Sequence, residues 1–234
     1  MICMPNDKET TSRHEKHLRK SLFLILGADS DTSIVTTDED ASRKFLKQKM
    51  SKQKIETVRE LIYYSYANLA MAHTAVDKNQ EKYEPFNFMI RAKLFKGLKE
   101  GTMNMRTIFD DEKIKLQTGQ VCNYCGSTEK LALDHIFPQK YGGQDNAENL
   151  VFACRFCNSS KGKKDLMEWM NYREKFLPLM IIRRYLKLTF NYCSEKGLLD
   201  KKIENFKEME LPFKVDFIPT SFPNPNELTL TVNE

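Results

Sequence analysis

Two C-x-x-C pairs constrain this 234-residue chain more than any other feature of its sequence. They are Cys122 and Cys125 in VCNYCG, and Cys154 and Cys157 in ACRFCN. Two such pairs can supply the four thiolates of a tetrahedral Zn²⁺ site, which is structural because no coordination position stays open. In a chain without a clear secretory signal, the pattern favours a metal over disulfides. The sequence therefore predicts a structural zinc centre built from these four cysteines.

The segment between the two pairs is too long for a simple zinc ribbon. Cys125 and Cys154 are separated by 28 residues, whereas a ribbon needs roughly 15 to 20. The run LALDHIF carries Asp134 and His135 and resembles a short strand, a Gly-Gly loop follows, and a second apolar run begins at Asn149. We therefore predict two strands joined by a loop.

A helix is predicted to follow the second cysteine pair. Asn158 or Ser159 can serve as its N-cap, and the helix then runs through Leu166 and Trp169. The predicted order is strand, loop, strand and helix, with the zinc centre holding the strand ends against the helix.

The flanking regions are predicted to be mostly helical. Apolar residues recur at helical spacing from about Ala41 to Ala75 and from about Phe86 to Glu100. A short helix is predicted in MRTIFDDEKIKL, and another helix is predicted after a break at Pro178. The tail from Leu211 holds four of the eight prolines and is predicted to wrap over the surface. We predict an α+β fold with a mostly helical region at 1–118, a compact module at 119–172 and a helical region with a Pro-rich tail at 173–234.

Nothing in the sequence predicts membrane association. No segment approaches the roughly 18 to 20 apolar residues that span a bilayer. The apolar run LFLIL at residues 22–26 follows basic residues, but it is shorter than the roughly 7 to 15 residues of a signal-peptide core. We interpret it as part of a core helix or strand, and we expect a cytoplasmic protein.

The ordered set of residues in the module resembles the HNH endonuclease family, whose members share a ββα-metal motif. The resemblance covers about residues 120 to 165 and rests on C-x-x-C, Leu133-Asp134-His135, Gly142-Gly143, Asn146, Asn149-Leu150, C-x-x-C-Asn158 and Lys161-Gly162. His135 takes the place of the family's first His, Asn149 that of its middle Asn, and Asn158 that of the final His, which is Asn in many members. The resemblance implies a nuclease that hydrolyses phosphodiester bonds in DNA.

The chemistry of the residues agrees with that function. A neutral imidazole at His135 is suited to accept a proton from water near pH 7. Asp134 and Asn158 offer oxygen ligands to a catalytic divalent ion, Mg²⁺ or Mn²⁺, which would neutralise charge on the phosphate. Because neighbouring strand residues point to opposite sides, a kink or the strand end must bring Asp134 and His135 to one centre. Asn149 is predicted to hold the loop and to orient the His135 ring.

Basic residues near the module are candidates for contacts with DNA phosphates. From Arg155 to Lys187 there are nine basic and three acidic residues, whereas the whole chain carries a net charge of +5. Lys161 is predicted to lie in the first turn of the helix, where backbone N–H groups favour phosphate. Lys163 and Lys164 could add backbone contacts, or be simply solvated.

A non-catalytic zinc ribbon that binds DNA or protein is the main alternative, but it leaves Asp134, His135, Asn149 and Asn158 unexplained. A zinc deaminase is excluded because its H-x-E and P-C-x-x-C signatures are missing. Nucleases resembling this arrangement often serve in bacterial or phage defence or restriction. The helical flanks could then contact DNA, form a homodimer or dock a partner ATPase or another defence protein.

Overall fold

The computed structural model describes residues 55–105, 120–173, 175–206 and 208–232. The predictions for the apolar run at 22–26, the first part of the Ala41–Ala75 helix and nearly all of MRTIFDDEKIKL lie outside these residues.

Two long helices open the described part of the chain. Helix α1 spans Val58–Asp77 and begins with a capping box, in which the Thr57 hydroxyl accepts from the Glu60 amide and the Glu60 carboxylate accepts from the Thr57 amide. Helix α2 spans Pro85–Glu100 and ends at Gly101, whose φ of +72° closes the last turn. Both helices confirm the predicted periodicity, except that residues 55–57 of the first predicted range precede α1.

The central module contains a small sheet and two short helices. Strands β1, Leu131–His135, and β2, Leu150–Cys154, pair antiparallel with His135 opposite Leu150. Helix α3 spans Arg155–Lys161 and follows β2 directly, and helix α4 spans Leu166–Met170. The predicted order of strand, loop, strand and helix is confirmed.

The predicted start of the helix after β2 is wrong. The N-cap of α3 is Cys154, whose sulfur accepts from the Cys157 amide at 3.4 Å, so Asn158 and Ser159 lie inside the helix. A second cap, Asp165, starts α4 by accepting from the Glu168 amide. Cysteine is not one of the residues that mark a helix start in a sequence, which explains why the predicted start lies too far along the chain.

The C-terminal region adds one long helix and a tail that belongs to the core. Helix α5 spans Leu179–Glu195 and begins directly after Pro178, as predicted. Amides of its first turn donate to the carbonyls of Thr229 and Leu230 in the tail. The tail also buries Phe213, so the prediction of a surface wrap is incomplete.

One continuous hydrophobic core joins the module to its helical flanks. It includes Ile62 of α1, Val151 of β2, Trp169 of α4, Tyr185 of α5 and Phe213 of the tail. The fold is α+β, as predicted. None of the helices in the described ranges has the length and apolar character needed to cross a membrane.

Candidate active site and metal centre

The four paired cysteines converge as the sequence predicted. Their sulfur atoms all lie within 4.8 Å of one another, and the Sγ atoms of Cys125 and Cys154 are 3.7 Å apart. That distance is close to the separation of two sulfurs on a tetrahedral ion with bonds of about 2.3 Å. The cluster is therefore suited to hold one metal ion.

A tight backbone turn brings the two cysteines of the first pair together. The Gly126 amide donates to the Cys122 carbonyl at 2.8 Å, and the φ of +80° at Gly126 allows this tight turn. Arg173 contacts the cysteine cluster through two hydrogen bonds. It donates to the Cys157 sulfur at 3.7 Å and to the Tyr124 carbonyl at 3.1 Å. A guanidinium beside thiolates offsets part of their negative charge.

Asp134 and His135 lie on opposite faces of the sheet. Strand β1 keeps its register with β2 up to its last residue, His135, so the two side chains alternate as strand geometry requires. Asp134 is buried, with 6% of its surface exposed, while the His135 side chain is 22% exposed. Strand β1 does end at His135, as expected, but this end does not bring Asp134 and His135 to the same face of the sheet.

A buried network surrounds the Asp134 carboxylate. The Tyr124 hydroxyl donates to Oδ2 at 2.7 Å, and the Lys161 ammonium lies 3.1 Å from Oδ2 and 3.3 Å from Oδ1. Lys161 also donates to the His135 carbonyl at 2.6 Å. Burial, with the Asp134 charge second, raises the pKa of Tyr124, which therefore remains a donor. Burial lowers the pKa of Lys161, while the Asp134 carboxylate opposes that change.

The His135 ring contacts an acid that was not among the residues selected from the sequence. Its Nε2 lies 2.9 Å from Oδ1 of Asp145, which stands on the loop between β1 and β2. The Asp145 side chain is 70% exposed. Because a carboxylate can only accept, Nε2 carries the hydrogen in this pair, and in the neutral ring Nδ1 then keeps its lone pair.

Asn149 holds the loop, as predicted, through its side-chain amide. The side chain accepts from the Phe137 amide at 2.7 Å and donates to the carbonyls of Phe137 at 3.0 Å and Gln144 at 2.9 Å. These three bonds all go to backbone atoms of the loop. The direct contact with the His135 ring comes from Asp145 instead.

Only two of the four site residues predicted on one helix, Asn158 and Lys161, lie on α3; Lys163 and Lys164 follow its end. Asn158 is half-buried on α3 one turn before Lys161, so the two share a helix face. Lys161 is the last residue of α3, and the prediction that it lies in a first turn is wrong. Its side chain is 1% exposed, which removes it from the surface where a phosphate would bind. Lys163 and Lys164 are exposed.

The Asp134 carboxylate does not accept a divalent cation in the present arrangement. Three of its roughly four lone-pair positions already face Tyr124 and Lys161. A cation bound to either oxygen would lie close to the Lys161 ammonium and be repelled by it. The residue types, a carboxylate and the Asn158 amide, suit Mg²⁺ or Mn²⁺, so ion binding at this place requires Lys161 to move.

Three residues of the site were not predicted from the sequence. Tyr124 lies between two predicted ligands, and its hydroxyl reaches Asp134. Asp145 lies in a loop rich in turn-forming residues, where an aspartate is ordinarily assigned to the turn. Arg184 of α5 donates to the carbonyls of Ala147 and Glu148. The one available signal was the presence of a carboxylate within the loop that follows the histidine.

Comparison with known proteins identifies the module. Residues 122–164 match the family model described as HNH endonuclease. The chain is similar to the "CRISPR-associated endonuclease Cas9" of Actinomyces naeslundii, with 39% identity over 75 residues, which is 30% of this chain and 7% of that protein. It is also similar to the protein of the same name from Corynebacterium diphtheriae, with 27% identity over 124 residues, which is 49% of this chain and 11% of that protein.

The aligned segments therefore span a small part of these much longer relatives. No solved structure gives a significant match to the chain. The family match begins at the first cysteine of the cluster and ends just after α3, so it includes the metal centre, both strands and the Asp134–His135 pair. The chain thus contains an HNH endonuclease domain at residues 122–164.

Proposed function

We propose that this chain is a DNA endonuclease in which His135 is the general base. The observation that carries the proposal is the His135 ring at the accessible end of β1, with Nε2 engaged by Asp145 and Nδ1 left as a proton acceptor. The HNH match at residues 122–164 supports the same assignment.

The proposed reaction is hydrolysis of one phosphodiester bond. Nδ1 of His135 takes a proton from a water molecule while the water oxygen forms a bond to phosphorus. The opposite phosphorus–oxygen bond breaks, and the leaving oxygen takes up a proton from solvent. General-base catalysis of this kind contributes about 10²- to 10⁴-fold to the rate.

A divalent ion, Mg²⁺ or Mn²⁺, is proposed as a cofactor that would neutralise charge on the phosphate. Asp134 and Asn158 are the residues proposed to hold it, once Lys161 has withdrawn from the carboxylate. Asn149 supports the chemistry indirectly by holding the loop beside His135.

The ion proposed for the cysteine cluster is Zn²⁺. The four cysteine sulfurs lie within 4.8 Å of one another, and four thiolates are the usual ligands of structural zinc, where they leave no position for substrate. Cys154 and Cys157 also stand at the start of α3, so the ion would tie that helix to the first cysteine pair. Its role is to stabilise the domain.

The exposed side of α3 supports nucleic acid as the substrate. It borders a cleft of about 660 Å³, where Lys130 and Arg155 are neighbours because the Arg155 amide donates to the Lys130 carbonyl. Phe156 is 79% exposed beside them. An exposed ring next to cations suits a DNA strand, whose bases stack and whose phosphates are negative. Lys163 and Lys164 are exposed after the other end of α3 and are also proposed to contact phosphates.

The biological role is proposed to be bacterial or phage defence. Both similar proteins are named CRISPR-associated endonucleases, and this chain resembles them over one part of its length. A role in restriction is a further proposal. We also propose that the helical flanks could form a homodimer or dock an ATPase or another defence protein.

Cleavage of supercoiled plasmid tests the activity and separates it from the alternative of a zinc ribbon that only binds. We expect purified parent protein with Mg²⁺ or Mn²⁺ to convert the plasmid to nicked or linear form, and His135→Ala to bind the same DNA without cutting it. If parent and variant both bind DNA in a gel-shift assay and neither cuts with any metal, the binding-module function is correct instead.

A further inference from the structure

We propose that Asp145 is a positioning residue that holds His135 for proton transfer. The pair is direct, with 2.9 Å between Nε2 of His135 and Oδ1 of Asp145. This inference rests on the proposed function, because it concerns the same general base. It adds a residue that was not among the candidates from the sequence.

An exposed carboxylate usually gains little by pairing, because solvent screens it and its side chain is mobile. Asp145 differs because its loop is held on one side by Asn149, which binds the backbone of Phe137 and Gln144. The loop also passes so close to the chain that a Cβ at Gly143 would collide with the Phe137 carbonyl. The backbone immediately before Asp145 is therefore fixed against β1.

The loop is fixed equally after Asp145. The Asn146 side chain accepts from the Asn149 amide at 3.1 Å and donates to the Gln144 side chain at 2.9 Å. Arg184 of α5 is buried and donates to the carbonyls of Ala147 and Glu148. Anchors on both sides hold the backbone that carries Asp145 beside the ring, so little backbone freedom has to be lost when the pair forms.

The geometry points to a defined role in the reaction. The Nε2–H donates to Asp145, and this keeps the Nδ1 lone pair available and fixes the plane of the ring. When Nδ1 accepts the water proton the ring becomes positive, and Nε2–H remains bonded to the Asp145 carboxylate. No bond to Asp145 forms or breaks, and the residue acts through His135.

The test compares Asp145→Ala, Asp145→Asn and the matched control Glu148→Ala, which removes an exposed acid from the same loop. We expect Asp145→Ala to lower kcat about 10- to 100-fold, by analogy with the loss of partners that orient metal-binding histidines, with KM for DNA, metal content and melting temperature close to the parent. Asp145→Asn keeps an acceptor for Nε2–H and should recover part of kcat. Glu148→Ala should cut like the parent.

The His135→Ala background gives a readout that a general structural role would not produce. There, Asp145→Ala should cause no further loss of residual activity, since effects of residues that act as a unit are not additive. Parental kcat in Asp145→Ala, equal loss in Asp145→Asn, or a further loss in the His135→Ala background would overturn the inference. If the parent itself cuts no DNA, the proposed function fails too; if the parent cuts, His135→Ala does not and Asp145→Ala cuts normally, this inference alone fails.

Discussion

The cysteine cluster and the end of β1 lie in one small domain but are built in opposite ways. At the cluster Cys122, Cys154 and Cys157 are buried and their sulfurs converge on one point. At the strand end the His135 side chain is 22% exposed and its partner Asp145 is 70% exposed. A closed set of sulfurs leaves no room for substrate, whereas the accessible imidazole proposed as the base leaves room for water and phosphate. The difference separates the residues expected to stabilise the domain from those proposed to act on DNA.

Replacing one cysteine of the cluster is expected to have the largest effect. We expect Cys125→Ser to lose the bound ion and the cooperative unfolding of the domain, because structural zinc contributes about 10–16 kcal/mol of binding free energy in small motifs. Cys125 is the exposed member of the cluster, so its replacement changes little packing.

Metal per chain and a thermal melt followed by circular dichroism measure the effect of Cys125→Ser. The matched control is Cys193→Ala, since Cys193 is buried on α5 and lies outside the cluster; it should keep one ion per chain. A Cys125→Ser protein that retains the ion and melts like the parent would show that the cluster does not hold the domain together.

Tyr124 connects the two regions. It lies between two cysteines of the cluster, and its hydroxyl donates to Asp134. We expect Tyr124→Phe to lower the free energy of unfolding by about 1.5–3 kcal/mol, the usual contribution of a hydrogen bond to a charged group, with metal content unchanged.

Urea denaturation measures that decrease for Tyr124→Phe. Tyr172→Phe is its control, because Tyr172 is 73% exposed and its hydroxyl should contribute less than about 0.5 kcal/mol. Equal stability of the two variants would contradict a structural role for the Tyr124–Asp134 bond.

Lys161 determines whether Asp134 belongs to the structural or the catalytic region. Its ammonium now neutralises Asp134, and like charges at about 4 Å repel by about 4 kcal/mol at an effective dielectric constant of 20. We expect Lys161→Met to bind Mn²⁺ about tenfold or more tightly than the parent, measured by electron paramagnetic resonance of free Mn²⁺. Lys164→Met, which removes an exposed lysine, should not change the affinity. Weaker binding by Lys161→Met would mean that the lysine supports the ion site.

The smallest expected effect concerns the exposed lysines after α3. In the His135→Ala background, Lys163→Ala with Lys164→Ala should reduce the salt dependence of DNA binding by about 0.9 in log–log slope for each phosphate that the protein no longer neutralises. Lys93→Ala on α2 is the matched control, because Lys93 is exposed and lies outside the HNH domain. If the Lys163→Ala, Lys164→Ala protein and the Lys93→Ala control show the same slope, Lys163 and Lys164 do not contact DNA phosphates.

Local patterns predicted the framework of the domain well. Cysteine spacing predicted the four-sulfur cluster, and the apolar runs around Asp134 and Asn149 predicted both strands. The helix start was misplaced because Cys154 caps α3 with its sulfur, a role that cysteine seldom has. The position of Lys161 then shifted from the first turn of a helix to the last.

Contacts that depend on how distant segments meet could not be predicted. The Asp145–His135 pair forms because Asn149 and Arg184 hold the loop, and no periodicity records such a contact. Trp169 and Tyr172 are only three residues apart, yet Trp169 is 2% exposed and Tyr172 is 73% exposed. Helix α4 ends at Met170, so Tyr172 no longer follows the buried face of that helix.

The single-turnover rate of DNA cleavage by His135→Ala, on protein that contains one metal ion per chain in the cysteine cluster, tests the central division most directly. We expect a parental melting temperature and a cleavage rate about 10² to 10⁴ times lower than that of the parent. A parental cleavage rate, or loss of the bound ion together with the fold, would contradict the division between stabilising and catalytic residues.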